Sequence, residues 1–213
     1  MCFSATADVV GAVVIGAIGV DVLRHLEGRH RYGVLASLPL LLAGHQLVEA
    51  FVWWGLQGDV PESVGRWATW IYLIVAFVVL PILVPVAILR LEPPGRRRRL
   101  IAAFVVLGTF VSGILLAAML RGPVTATLAD HYVGYSTDLR AGRLVVALYV
   151  VATCGALLVS GVRDIARFGV VNLVAVVVIA VLTIDGFASV WCAWAAISSA
   201  LFAVHVRRVG RLP

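Results

Sequence analysis

The sequence predicts an all-α fold: a bundle of seven transmembrane helices in a polytopic integral membrane protein. Three observations predict it. Seven apolar stretches fill almost all of the 213 residues. Hydrophobic residues make up 62% of the chain and charged residues 13%, with a mean hydropathy of +1.05. A soluble domain of this length cannot bury so much apolar surface. Nearly all the charge sits in the short linkers between the stretches.

The spans are expected at residues 4–23, 34–56, 66–89, 100–120, 143–161, 168–184 and 187–206. At about 17–24 residues and ~1.5 Å per residue, each reaches across a hydrocarbon core of roughly 30 Å. Barrel strands alternate polar and apolar residues, whereas these runs are apolar on every face, so helices alone satisfy the backbone amides in lipid. The tightest junction is Ile184, Asp185 and Gly186, where Asp and Gly suit a short turn. The start lacks a basic n-region and opens into a full span, so it is expected to insert and stay rather than be cleaved. The chain reads as one transmembrane domain over residues 1–213. The longest polar segment, Arg121 to Arg143, has the length of a cap over helix ends.

Arginine sets the orientation. All 17 basic residues are arginine. Thirteen fall on one side: Arg24, Arg29, Arg31, Arg90, Arg96 to Arg99, Arg163, Arg167, Arg207, Arg208 and Arg211. Four fall on the other: Arg66, Arg121, Arg140 and Arg143. The positive-inside rule makes the thirteen-arginine side cytoplasmic, with the amino terminus outside and the carboxyl terminus inside. A multi-pass protein of the cell membrane is expected, with the lipid bilayer as its partner. The pI of 9.9 then needs no nucleic acid, because anionic lipid answers the run Arg96 to Arg99.

Polar residues gather in the outer half. Glu49 lies eight residues before Gln57, about 12 Å down the second helix, with His45 one turn deeper. Asp8 sits near the outer end of the first helix, below Cys2 and Ser4. Cys192 lies about 9 Å down the seventh helix, below Asp185. His131 is in the long outer loop. Ionisable groups at membrane depth are costly and face a cavity or a partner, so a shared depth suggests one outward-facing polar pocket. Each residue also has a plainer reading. Glu49 is expected to be neutral at pH 7 unless a cation is bound, and a neutral acid can simply bond a neighbouring helix. Asp8 suits a solvated helix start, Asp185 a turn, and His131 a loop in water. Trp53, Trp54, Trp67 and Trp70 suit an aromatic belt.

His45 and Glu49 are four apart and share a helical face, the spacing of two metal ligands. A third would have to come from Cys2, Cys192 or His131. Gln46, Glu49 and Trp53 make an equally good stripe without metal, so no metal or other cofactor is assigned. Cys154 reads as a packing residue. Cys2 and Cys192 lie toward the oxidising side and are candidates for a disulfide. Were Met1 removed, a free amino-terminal Cys2 would offer thiol and amine together. Pro81 and Pro85 are expected to kink the third helix, and Pro93 with Pro94 to end it. Gly11, Gly16, Gly113 and Gly155 allow close helix contact.

The chain resembles a family of bacterial seven-helix membrane proteins with no assigned activity. The resemblance is carried by Met1-Cys2-Phe3-Ser4-Ala5, by Gln46, Glu49 and Trp53, and by Pro81, Pro85 and Leu91-Glu92-Pro93. Ser189-Val190-Trp191-Cys192 and His205 carry it too. It implies that Cys2, Gln46, Glu49 and Cys192, with Trp191 beside them, form one site. The family pattern has Gln at the position of His45 and Gly at that of Ala50, which counts against the metal pair. Binding, sensing or transport of an unidentified small ligand is the expected function. An intramembrane enzyme using a metal or the Cys2 thiol, and a packing subunit of a membrane complex, are the alternatives.

Overall fold

The computed structural model describes residues 4–26, 30–129, 132–137, 139, 142–182, 190–191, 194, 196–198 and 200. Seven α-helices run through the described residues: α1 (Ala5–Arg24), α2 (Gly33–Gln57), α3 (Glu62–Leu73), α4 (Leu80–Leu91), α5 (Arg96–Arg121), α6 (Gly142–Val159) and α7 (Arg163–Leu182). A π-helical stretch, Ile74–Val79, joins α3 to α4. Among the described residues, five helical stretches are long and apolar enough to cross a membrane: α1, α2, Glu62–Leu91, α5 and α6. The junction 184–186 and most of the expected span 187–206 lie outside the described residues, and Val190, Trp191 and Trp194 within that span are helical.

The helices show apolar faces to their surroundings. On α1, Val10, Val13, Val14 and Val20 are exposed, while Asp8, Gly11, Ala12, Ile15 and Gly19 are buried. On α5, Val106, Phe110 and Leu120 are exposed, and Gly108, Val111 and Ser112 are buried. This reverses the pattern of a water-soluble helix and fits a lipid-facing exterior around small and polar contacts.

The chain divides into two compact units: among the described residues the first holds α1, α2, α3 as far as Tyr72 and residues 125–135, and the second holds α4 to α7. In the first, Ser4 caps α1 by accepting the Ala7 N–H at 3.2 Å. Gly19 lets α2 approach, since a Cβ there would meet Leu40 at 2.9 Å. Gly58 ends α2 in the left-handed conformation (φ +84°), with its N–H on Trp54 O, and Pro61 follows before α3 starts. The chain then turns back so closely that a Cβ on Gly55 would lie 2.5 Å from Gly65 Cα.

The segment expected as a cap contains a β-hairpin, β1 (Thr125–Leu128) paired with β2 (Val133–Ser136). Residue alternation turns Val133 and Tyr135 to one face. Val133 is fully buried in a cluster with Ala5, Ala50, Val52, Trp53 and Ala68, against which Tyr135 and Ala126 pack. These two short strands are the departure from the all-α expectation.

In the second unit, the expected kink takes a defined form. In the π stretch, Leu80 donates to Val75 O, five residues back. In that register Ala76 O would meet residue 81, a proline with no N–H. The Tyr149 hydroxyl donates to Ala76 O instead, at 2.9 Å. Ser112 Oγ donates to Val78 O, also at 2.9 Å. Pro85 likewise leaves Pro81 O without its helical donor, and Gly108 of α5 packs directly on that carbonyl. Gly155 admits the Phe104 ring. Gly113, expected to serve close contact, has nothing within 4 Å of a Cβ position and plays no such part.

At the other end of α4, the motif Leu91-Glu92-Pro93 does structural work. Glu92 is buried, and its Oε1 accepts the Ser160 hydroxyl at 2.9 Å and the Gly161 N–H. Arg98 Nη1 donates to Leu89 O at 2.7 Å and Glu92 O at 2.9 Å, satisfying carbonyls at the helix end. The turn between α6 and α7 is thereby tied to the end of α4.

Candidate functional site

Of the polar residues expected at one depth, four lie buried in the first unit. Asp8 of α1 and Glu49 of α2 are both 0% exposed, and Gln46 and Trp53 are 1% and 3% exposed. Gln46, Glu49 and Trp53 stand at i, i+3 and i+7, which puts them on one face of α2. Asp8 is buried where α1 packs on α2. Two expectations are corrected here. Asp8 is not a solvated helix start, because packing of α1 on α2 removes it from solvent. Trp53 is not part of an aromatic belt: it is buried, while Trp67 is 69% exposed.

His45, one turn below Glu49, is buried and stacks on Tyr72 of α3, with ring centroids 4.0 Å apart and planes at 14°. The far face of Tyr72 stacks on Tyr135 of β2, at 4.6 Å and again 14°. The three rings form a column. At its end the Tyr135 hydroxyl donates to Glu49 Oε1 at 3.4 Å, a long bond whose geometry the stack fixes. Tyr72 and Tyr135 are missing from the sequence-based site. The alternation in Val133-Gly134-Tyr135-Ser136 is the one signal that pointed to Tyr135, and nothing in the α3 sequence singled out Tyr72.

Several polar atoms in this cluster lack hydrogen-bond partners among the described residues. They are both Asp8 carboxyl oxygens, both ends of the Gln46 amide, and the Trp53 indole N–H. No three His, Cys, Asp or Glu side chains assemble as a metal site among the described residues. The ring of His45 is engaged by Tyr72. Ser4, expected from sequence to line the pocket, serves the α1 cap. Trp191 is buried and helical. Cys2, Cys192, His131, Asp185 and His205 lie outside the described residues, and with them the disulfide and the amino-terminal thiol. Cys154 is buried and free, as a packing residue.

The family described as "Family of unknown function (DUF6629)" matches residues 1–212. The chain belongs to this family. No curated protein and no solved structure matches the chain. Membership of DUF6629 agrees with the resemblance to a family without an assigned activity.

Proposed function

We propose that this DUF6629 chain is a multi-pass protein of the cell membrane that binds, senses or transports a small ligand in an outward-facing pocket. Asp8, Gln46, Glu49 and Trp53 form its centre. One observation carries this reading: both ends of the Gln46 amide are buried without partners among the described residues, beside the buried carboxyls of Asp8 and Glu49. An ionisable group inside a membrane costs at least about 2.5–3.5 kcal/mol on the insertion scale. An unpaired buried polar group costs a further 1–3 kcal/mol or so. A cluster that carries both costs is best accounted for by a ligand that offsets them.

Seven spans, an outer amino terminus and a cytoplasmic carboxyl terminus belong to the same reading. The arginine distribution supports them. The lipid bilayer is the partner, and Arg96 to Arg99 meet anionic headgroups rather than nucleic acid. Cys2 and Cys192 are taken to complete the pocket, bonded or sharing a ligand. Thiol labelling before and after reduction, with mass mapping, tests that pairing.

The pocket is tested with purified protein in detergent. Thermal unfolding of wild type, Glu49→Gln and Glu49→Leu is followed with a panel of small cations, amines and neutral solutes. A compound that raises the unfolding temperature of wild type and not of Glu49→Gln supports the pocket. If Glu49→Leu unfolds like wild type and no compound acts, the pocket reading fails.

A further inference from the structure

Resting on the reading of this chain as a membrane protein with its arginine-rich side inward, we propose that one end of the second unit binds the phosphate of an anionic phospholipid headgroup. Arg97 of α5 and Arg163 of α7 form the centre of that site, flanked by Arg90, Arg96 and Arg99. Arg98, within the same run, serves the fold instead.

Three segments meet at this end: the close of α4, the start of α5 and the turn before α7. Arg98 is half-buried and joins the first two, its Nη1 donating to Leu89 O at 2.7 Å and Glu92 O at 2.9 Å. The Glu92 carboxyl joins the first to the third, accepting the Ser160 hydroxyl at 2.9 Å and the Gly161 N–H. Arg97 also reaches the third segment. A Cβ on Gly161 would stand 2.9 Å from Arg97 Nη1 and 3.1 Å from Glu92 Oε2, so glycine leaves room for the guanidinium over the turn. Gly161 is exposed and stands two residues before Arg163, the first residue of α7. A cation of α5 is thus set beside a cation of α7.

Charge selects the ligand. Arg90, Arg96, Arg97, Arg99 and Arg163 are exposed and form no ion pair among the described residues, whereas Arg167 pairs with Asp164 at 3.3 Å. The other carboxyl at this end, that of Glu92, is buried and engaged by Ser160 and Gly161. The arginines do not stabilise α5, which has no acid in its first turn and whose dipole opposes cations there. Their counter-charge therefore has to come from outside the chain, and an arginine fork matches the paired oxygens of a phosphate. Position selects the source. The stretch ending in α4, α5 and α6 are each long and apolar enough to cross a membrane, so their arginine-bearing ends meet the headgroup layer.

The test is native mass spectrometry of the purified full chain in detergent, titrated with phosphatidylglycerol or with phosphatidylcholine of the same acyl chains. Wild type should retain phosphatidylglycerol over phosphatidylcholine. Arg97→Gln and Arg163→Gln should each weaken phosphatidylglycerol retention about five-fold and leave phosphatidylcholine as it was. Arg97→Lys should recover part of that loss, since it restores the charge without the fork. Arg98→Gln should lower the unfolding temperature, because two carbonyls lose their donor, and should change the lipid preference least of the inner arginines. Arg121→Gln, at the other end of α5, is the control and should retain phosphatidylglycerol as wild type does. Equal retention of the two lipids overturns the proposal, as does wild-type retention of phosphatidylglycerol in both Arg97→Gln and Arg163→Gln. Displacement of the lipid by inorganic phosphate would assign the arginines to the free anion, and tighter binding of a short DNA or RNA duplex would assign them to nucleic acid. Either result overturns the lipid site. Should the lipid test fail while a reporter fused after residue 95 reads cytoplasmic, the orientation stands and this site alone is lost.

Discussion

The hydroxyl of Tyr135 reaches the carboxyl of Glu49 across 86 positions of sequence, because a hairpin and a column of three rings hold it there. At 3.4 Å the bond is weak by itself. Its importance lies in position, since it ties the hairpin to the one carboxyl of α2. Tyr135→Phe should keep the stack and lose about 1 kcal/mol of stability. Glu49→Gln should also fold, as the amide still accepts. Glu49→Leu should cost about 1–3 kcal/mol by stranding the hydroxyl. Thermal unfolding of the three variants in one detergent checks the order.

Tyr149 supplies what Pro81 cannot. Tyr149→Phe should cost about 1–3 kcal/mol by leaving Ala76 O without a donor. Pro81→Ala restores an N–H to the helix, so the same tyrosine substitution should cost less in that background. A double-mutant cycle measures the difference. Additive effects would show that Pro81 and Tyr149 do not act on the same carbonyl.

Gly65 is held to its size by Gly55. A Cβ at residue 65 would stand 2.7 Å from Gly55 Cα, and backbone cannot rotate away as a side chain can. Gly65→Ala should therefore lower stability by about 1–3 kcal/mol despite the better helix propensity of alanine. The control is Gly113→Ala, where a Cβ meets nothing within 4 Å and stability should hold or rise.

Glu92 joins α4 to the turn before α7 through Ser160 and Gly161. Ser160→Ala should cost about 1 kcal/mol by removing a buried hydrogen bond to the carboxyl. Glu92→Leu should cost more, because the hydroxyl and the Gly161 N–H both lose their acceptor. Glu92→Gln should fall between wild type and Glu92→Leu. Denaturation curves of the three variants would reveal any other order.

The topology yields to reporter fusions. Fusions after residue 95 and at the carboxyl terminus should both read cytoplasmic, from the thirteen-to-four division of arginines. A signal from the outer side at either position would overturn this orientation and the outward-facing pocket with it.

Composition and helical rise alone determined much of this protein. The five stretches among the described residues that are able to cross a membrane follow from uninterrupted apolar runs, and helix rise predicted Glu49 about 12 Å down the second helix. The shared face of Gln46, Glu49 and Trp53 is likewise fixed by 3.6 residues per turn. Tertiary structure decided what those residues meet. Depth along a helix does not say which way a side chain turns, so only packing of α1 on α2 showed Asp8 buried and Trp53 withdrawn from the surface. Tyr72 and Tyr135 joined the site through ring stacking between elements far apart in sequence, which no local pattern encodes. The π stretch was legible as a proline kink, but its repair by Tyr149 and Ser112 was not. A free carbonyl is a local consequence of proline, whereas the donor that satisfies it is chosen by whichever helix packs alongside.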